Sequence, residues 1–325
     1  MDRRHALASL AGLAAAAALP SRSQAKPPRV GILFFGSRAN FRTRSEAFTK
    51  AMAERGYVEG KSIAYEWRTA NGQEDVLRAN ATELGQGGVN VILSASTHTS
   101  RALRRAGVTA VPVVMAANEE PTIEGFAKSL DHPGGNFTGL SASVLDHLDR
   151  HIELLFAVAP RLTRVTALLN PDNPAYRVYR ARLQSAVRAG TRLIVSDASS
   201  VEQIDAAFPA RAREDADGLV VMNDVLFYNE RRTVVDAAAR VKRPAIYPLR
   251  GFVEAGGLMS YAANPEANFA RAAHFVDRIL KGAKPAEMAI EPAAKMELVV
   301  NRDRLETLGF PLPADIARQA LYYPR

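Results

Sequence analysis

The sequence predicts an α/β protein of two lobes, each built on a parallel sheet with helices on both faces. Short β-branched or continuous apolar runs alternate with amphipathic helical stretches along almost the whole chain, which is the pattern of successive βα units. The alternation comes as two series, one before and one after a glycine-containing passage near residue 135. The chain has 325 residues, enough for roughly two domains.

In the first series, Val30–Phe35, Ile63–Trp67, Val89–Leu93 and Val111–Ala116 read as strands bounded by turn residues. Leu77, Ala81 and Leu84 recur at helical spacing between the second and third of them. His132-Pro-Gly-Gly-Asn-Phe-Thr-Gly139 reads as the first passage between lobes, because two glycines admit unusual backbone angles and Phe137–Leu140 then resumes an extended pattern. The second series holds Val165–Leu169, Leu193–Val195, Leu219–Met222 and Ala245–Tyr247. Its helical stripes are Tyr176, Tyr179, Leu183 and Val187, then Phe269, Ala273, Val276 and Leu280. Lys284-Pro285 ends the last long helix. The tail, Met296–Val300 and a short helix from Asn301, is expected to return to the first lobe. The expected division is a leader over 1–25, lobe 1 over 27–139 plus about 282–325, and lobe 2 over 140–281.

The two series look like structural repeats. Val30 to Phe41 and Val165 to Tyr176 share a strand, a polar turn and an aromatic residue at the same offset. In the second turn Asn173 is a natural N-cap, with Pro174 at the first helical position. Each lobe then presents the same kind of loop at the carboxyl edge of its first strand, the edge where open parallel sheets hold ligands.

Residues 1–25 read as a secretory leader: Arg3-Arg4, a short Ala/Leu/Gly core from Ala6 to Leu19, and small residues at Ser23 and Ala25 before cleavage. The general route and the twin-arginine route both fit, and both lead to the periplasm. No later apolar run reaches the ~20 residues of a membrane helix. With no cysteine, disulfides, thiol nucleophiles, Cys-ligated metals and a lipid-modified cysteine anchor are all excluded. The net charge of +8 is spread as arginines among acidic residues without the basic stripe of a nucleic-acid binder.

Several blocks, taken in order, resemble one family. They are Gly56-Tyr-Val-Glu-Gly60, Arg68-Thr-Ala-Asn-Gly72, Pro133-Gly-Gly-Asn-Phe-Thr-Gly-Leu140 and Ala245-Ile-Tyr-Pro248. Phe252-Val-Glu-Ala-Gly-Gly-Leu-Met-Ser-Tyr261 and Ile279-Leu-Lys-Gly-Ala-Lys-Pro285 follow. From about residue 27 to 320 the chain is similar to the substrate-binding proteins of ABC transporters, in the tryptophan/tyrosine-type uptake group. The resemblance implies a type I periplasmic-binding-protein fold, with two Rossmann-like lobes joined by a hinge. It also implies ligand capture in the cleft and delivery to an ABC permease of the inner membrane, by a protein expected to be monomeric. At the expected ligand loops the chain departs from the family pattern: Ser96-Thr97-His98 stands for Gly-Thr-Pro, Asn118-Glu119-Glu120-Pro121 for Gly-Asp-Pro, and Asn223-Asp224-Val225-Leu226 for Pro-Asp-Pro-Leu. These departures weigh against a simple transfer of an aromatic amino-acid ligand.

The candidate ligand residues come from the carboxyl-edge loops: Ser37, Arg38, Phe41, Ser96, Thr97, Asn118 and Glu119 from the first lobe, and Asn173, Tyr176, Asn223, Asp224 and Tyr247 from the second. Ser96 and Thr97 open a helix whose free N–H groups suit a carboxylate, and Arg38 adds a bidentate cation. Glu119 and Asp224 suit an ammonium, while Phe41 and Tyr176 can sandwich a flat ligand body. The set points first to an amino acid or related zwitterion. Each member also has an ordinary structural use, as helix cap, solvated charge or packed ring.

Catalysis finds little support. There is no Gly-x-Ser-x-Gly elbow, Walker A loop or Gly-x-Gly-x-x-Gly fingerprint. His147 and His151 have metal-ligand spacing, but they flank the apolar stripe of Leu148, Ile152, Leu155 and Phe156, so a solvated polar face is expected there, with no metal and no cofactor. A periplasmic solute-binding protein of an importer is the expected function. A ligand-sensing subunit of a membrane receptor and an exported α/β enzyme are the other classes that fit.

Overall fold

The computed structural model describes residues 26–207 and 217–324; the expected leader lies outside them. The first sheet contains β1 (Arg29–Phe34), β2 (Ala64–Thr69), β3 (Val91–Ser94), β4 (Val113–Asn118), β5 (Phe137–Ser141) and the short β11 (Glu291–Pro292). The second contains β6 (Arg164–Leu169), β7 (Arg192–Asp197), β8 (Asp217–Val221), β9 (Ala245–Tyr247), β10 (Met259–Ala263), β12 (Met296–Asn301) and β13 (Ala320–Tyr323). Their orders are β11-β5-β4-β3-β1-β2 and β13-β12-β10-β9-β8-β6-β7. The runs 5-4-3-1-2 and 10-9-8-6-7 are the same topology, parallel throughout. Among the described residues no helix is long and apolar enough to cross a membrane.

The central strands are buried on both faces, so they read as continuous apolar runs. Val30, Ile32 and Phe34 of β1 enter one core with Phe48, Met52, Phe269 and Val276. Leu33 turns the other way, onto Leu77, Leu84, Ile92 and Leu103. β6 repeats this, with Val165, Ala167 and Leu169 on one side and Leu168 on the other. Each fully buried side chain of this size contributes roughly 1.5–3 kcal/mol relative to exposure.

The chain changes lobe three times, and this corrects the expected boundaries. The Pro133–Leu140 block is not the first passage, because it leads into β5 of the first sheet. Gly139 adopts φ +124°, and a Cβ there would lie 2.3 Å from the Met115 carbonyl oxygen, so only glycine lets β5 close onto β4. The passages are Ala142–Val144, Asn264 and the residues between β11 and β12.

Helix Pro265–Leu280, expected in the second lobe, packs on the first: the Phe269 ring stacks on Phe34 at 5.9 Å and Ala272, Ala273 and Val276 join the same core. The tail, expected in the first lobe, lies in the second, where β12 runs antiparallel to β10 and parallel to β13. A helical stripe records which face is buried but not which sheet covers it, and that is the physical reason for the exchange. Asn264 marks the second crossing. Its side chain caps the helix by accepting the Ala267 N–H at 2.6 Å, while its own N–H donates to Lys295 on the third crossing at 2.7 Å.

Candidate functional site

In this topology the strand order reverses between β1 and β3 and between β6 and β8, and the loops at those carboxyl ends form the crevice. The first-lobe wall is a hydroxyl lattice at the start of helix Thr97–Arg105. Ser96 and Thr99 form a capping box. The Ser94 hydroxyl lies 2.7 Å from both Thr99 Oγ1 and Ser100 Oγ, and Asn118 Nδ2 donates to Ser100 Oγ at 2.6 Å. Thr97 Oγ1 accepts the Glu119 N–H at 2.9 Å, tying the end of β4 to the helix start.

Beyond Glu119 the chain turns sharply at Glu120, whose φ of +45° is the left-handed region. Its buried carboxylate accepts the Ser143 hydroxyl at 2.8 and 2.9 Å and the Leu145 N–H at 3.3 Å, which fastens the first lobe to the first crossing. Glu124, also buried, takes Nε of Arg101 at 2.7 Å and its Nη2 on the other oxygen.

The second-lobe wall is built on Asp224, the N-cap of helix Val225–Asn229. Its carboxylate accepts Leu226 N–H at 2.9 Å, Asn170 Nδ2 at 3.0 Å and Asn173 Nδ2 at 2.8 Å. Asn173 Oδ1 accepts the Ala175 N–H at 2.9 Å, so this side chain shapes the turn before the helix at Tyr176–Ala186.

The walls approach each other at Glu119, whose carboxyl faces the Asn223 side chain of the opposite lobe. Burial pushes the Glu119 carboxyl up to about 7; the Asn223 side chain opposes that, and the charge of Glu120 adds to it. Tyr179, buried on the second lobe, is pushed well above its ordinary value by desolvation, then by the fields of Glu119, Glu120, Glu124 and Asp224.

Of the expected residues, Ser96, Thr97, Asn118, Glu119, Asn173, Asn223 and Asp224 thus form one connected set, and Ser37 is half-buried in the turn after β1. Four others do not join it. The Arg38 guanidinium lies over the Trp67 ring at 5.5 Å, in a recess beside Arg42, Glu46 and Glu59. Phe41 stacks on Phe34 at 4.3 Å, because an apolar ring gains more from the aromatic core than from the crevice. The Tyr176 hydroxyl donates to Asp197 at 3.1 Å, at the edge strand β7. Tyr247 is 2% exposed and stacked on Phe252 at 5.3 Å. The expected aromatic sandwich and the Arg38 cation are therefore absent from this set.

Sequence reasoning missed Arg101, which sits one turn beyond Thr97 on the same helix and was legible only through that spacing. It also passed over Tyr179, which its stripe made a plain core residue. The His147–His151 pair is not a solvated face: His151 is 3% exposed, its Nδ1 lies 2.9 Å from the His147 carbonyl oxygen, and both rings meet Tyr261 edge-on at 6.0 Å. Burial pulls His151 down to about 4.

The family model described as ABC transporter substrate binding protein matches residues 29–322. The chain belongs to this family. A tyrosine-binding protein of Clostridioides difficile (strain R20291) is 23% identical over 287 residues, covering 87% of this chain and 81% of that protein. A Streptococcus pneumonia ABC domain in complex with L-Trp superposes with a TM-score of 0.79 at 22% identity, over 91% of this chain and 99% of that one. A ligand-free, open substrate-binding protein of Clostridium difficile gives 0.75 at 22% identity, over 91% and 98%. These likenesses show the two-lobed type I periplasmic-binding-protein fold, with the substrate-binding role that the family carries.

Proposed function

We propose that this protein is the periplasmic solute-binding component of an ABC importer and that it closes its two lobes on an amino acid or related zwitterion. The observation that carries the proposal is the connected polar set spanning both lobes, from Ser96 and Thr97 through Glu119 and Asn223 to Asp224. Ligand favours closure only through contacts that both walls make at once. The open N–H groups at the start of helix Thr97–Arg105 suit the carboxylate, and Asp224 suits the ammonium. The tyrosine-binding relative and the tryptophan-bound neighbour support the amino-acid class. The closed form presents both lobes to the permease.

A thermal-shift screen against amino acids, small carboxylates, purines and sugars tests this. A ligand at 100 times its Kd adds about 2.7 kcal/mol of stability. Asp224→Ala should abolish the shift, whereas Arg38→Ala should leave it unchanged. A hit insensitive to Asp224→Ala would move the site elsewhere. A folded protein with no hit would turn the reading toward a receptor-docking subunit.

A further inference from the structure

The carboxylates at the crevice outnumber the cations that can neutralise them. Glu124 is matched by Arg101. Glu120 has only Ser143 and the backbone N–H groups of Leu145 and Val144, Asp224 only two asparagine amides and a backbone N–H, and Glu119 only Asn223. Among the described residues these three therefore have neutral partners alone. The nearby cations are committed elsewhere. Arg101 is held bidentately by Glu124, His98 Nε2 lies 2.6 Å from Glu74, and Arg38 lies over Trp67.

A second observation is independent of charge. Asn118 is fully buried at the end of β4, beside Glu119. Its Nδ2 is used on Ser100, and its Oδ1 has no partner. Ser141, opposite Asn118 in the strand register, is buried as well and its hydroxyl is also unpartnered. Buried polar atoms nearly always find a partner, so an open acceptor on the residue next to Glu119 in the chain is a place for a donor brought by an occupant.

Building on the solute-binding reading, we infer that the crevice selects a small ligand with two protonated nitrogen groups, a basic amino acid or a diamine. One nitrogen is taken by Asp224 on the second lobe. The other is taken by Glu119, with Asn118 Oδ1 accepting beside it. A neutral amino acid offers one ammonium and leaves the second carboxylate desolvated, which is the state that lifts the Glu119 carboxyl. Glu119 is faced by Glu120 on its own loop, by Arg101 and Glu124 within the first lobe, and by Asn223, Asp224 and Tyr179 from the second. A doubly cationic ligand is the missing counter-charge for this group.

Titration calorimetry at pH 8 with arginine, lysine and 1,4-diaminobutane, against leucine, tyrosine and tryptophan, tests the inference. The doubly cationic ligands should bind at least about tenfold more tightly than the neutral ones. Glu119→Gln should remove at least about tenfold of that preference without lowering the thermal midpoint of the free protein. Lowering the pH to 6 should weaken binding, because Glu119 then holds a proton. Which of the amino acids or the diamine binds tightest identifies the ligand. Tight binding of neutral amino acids with no effect of Glu119→Gln would overturn the two-cation selection while leaving the solute-binding reading standing. Failure of every amine and amino acid to bind a folded sample would overturn both the two-cation selection and the amino-acid class of ligand.

Discussion

Glu119 and His151 are ionisable groups that burial has shifted in opposite chemical senses, and their effects on stability also oppose each other. The folded His151 holds its proton only below about 4, against 6.5 when unperturbed. The unfolded chain therefore binds more protons between those values, and stability falls as the pH drops through that window, by about 3 kcal/mol in all. Replacing it, as His151→Gln, should flatten the acid limb of a urea-midpoint profile measured from pH 7 to 4. The folded Glu119 instead keeps its proton up to about 7, against 4.5. Its contribution is present below 4.5 and is lost as pH rises through 7, so Glu119→Gln should flatten the neutral limb. At this scale the sequence made Glu119 and Asp224 visible as carboxylates at strand ends. The neighbours that set their behaviour, Asn223 and Asn173 among them, come from segments whose closeness only folding creates.

At the scale of elements, the strands follow from apolar runs and the helix starts from Ser96, Asp224 and Asn264, whose side chains each accept a first-turn N–H. The glycine blocks are turn chemistry with a steric cause. A Cβ at Gly257 would sit 2.6 Å from the Tyr247 ring and 2.8 Å from the Phe252 carbonyl oxygen, so the Glu254–Tyr261 block brings β10 against β9. Gly139→Ala should destabilise the first lobe by more than about 2 kcal/mol, from the backbone clash with Met115 together with a positive φ. Phe269→Ala should cost about 3–5 kcal/mol, because that ring anchors the long helix on Phe34. Chemical denaturation checks both, and a Phe269→Ala effect confined to the second lobe would contradict the observed packing.

At the scale of the molecule, two copies of one sheet topology face each other across a triple connection, with Glu120 gripping the first crossing through Ser143. Ligand-driven closure should contract the protein, read as a fall in the radius of gyration by small-angle X-ray scattering at saturating ligand. Asp224→Asn should remain folded yet fail to contract under the same conditions. Contraction that survives this substitution would mean that closure is driven by contacts outside the polar set.

The sequence by itself determined the two βα series, their parallel sheets, the family and most of the polar set at the strand ends. Each of these is written in local period, punctuation residues or contiguous blocks. Only the tertiary structure decided that Pro265–Leu280 serves the first lobe and Met296–Tyr323 the second, because an amphipathic stripe does not name its partner. It also decided the fate of the aromatic and cationic candidates. Phe41 and Tyr247 each found a ring to pack on, drawn there in place of the crevice by burial of apolar surface, which is non-directional, while the exposed Arg38 guanidinium settled over Trp67 through a cation–π contact.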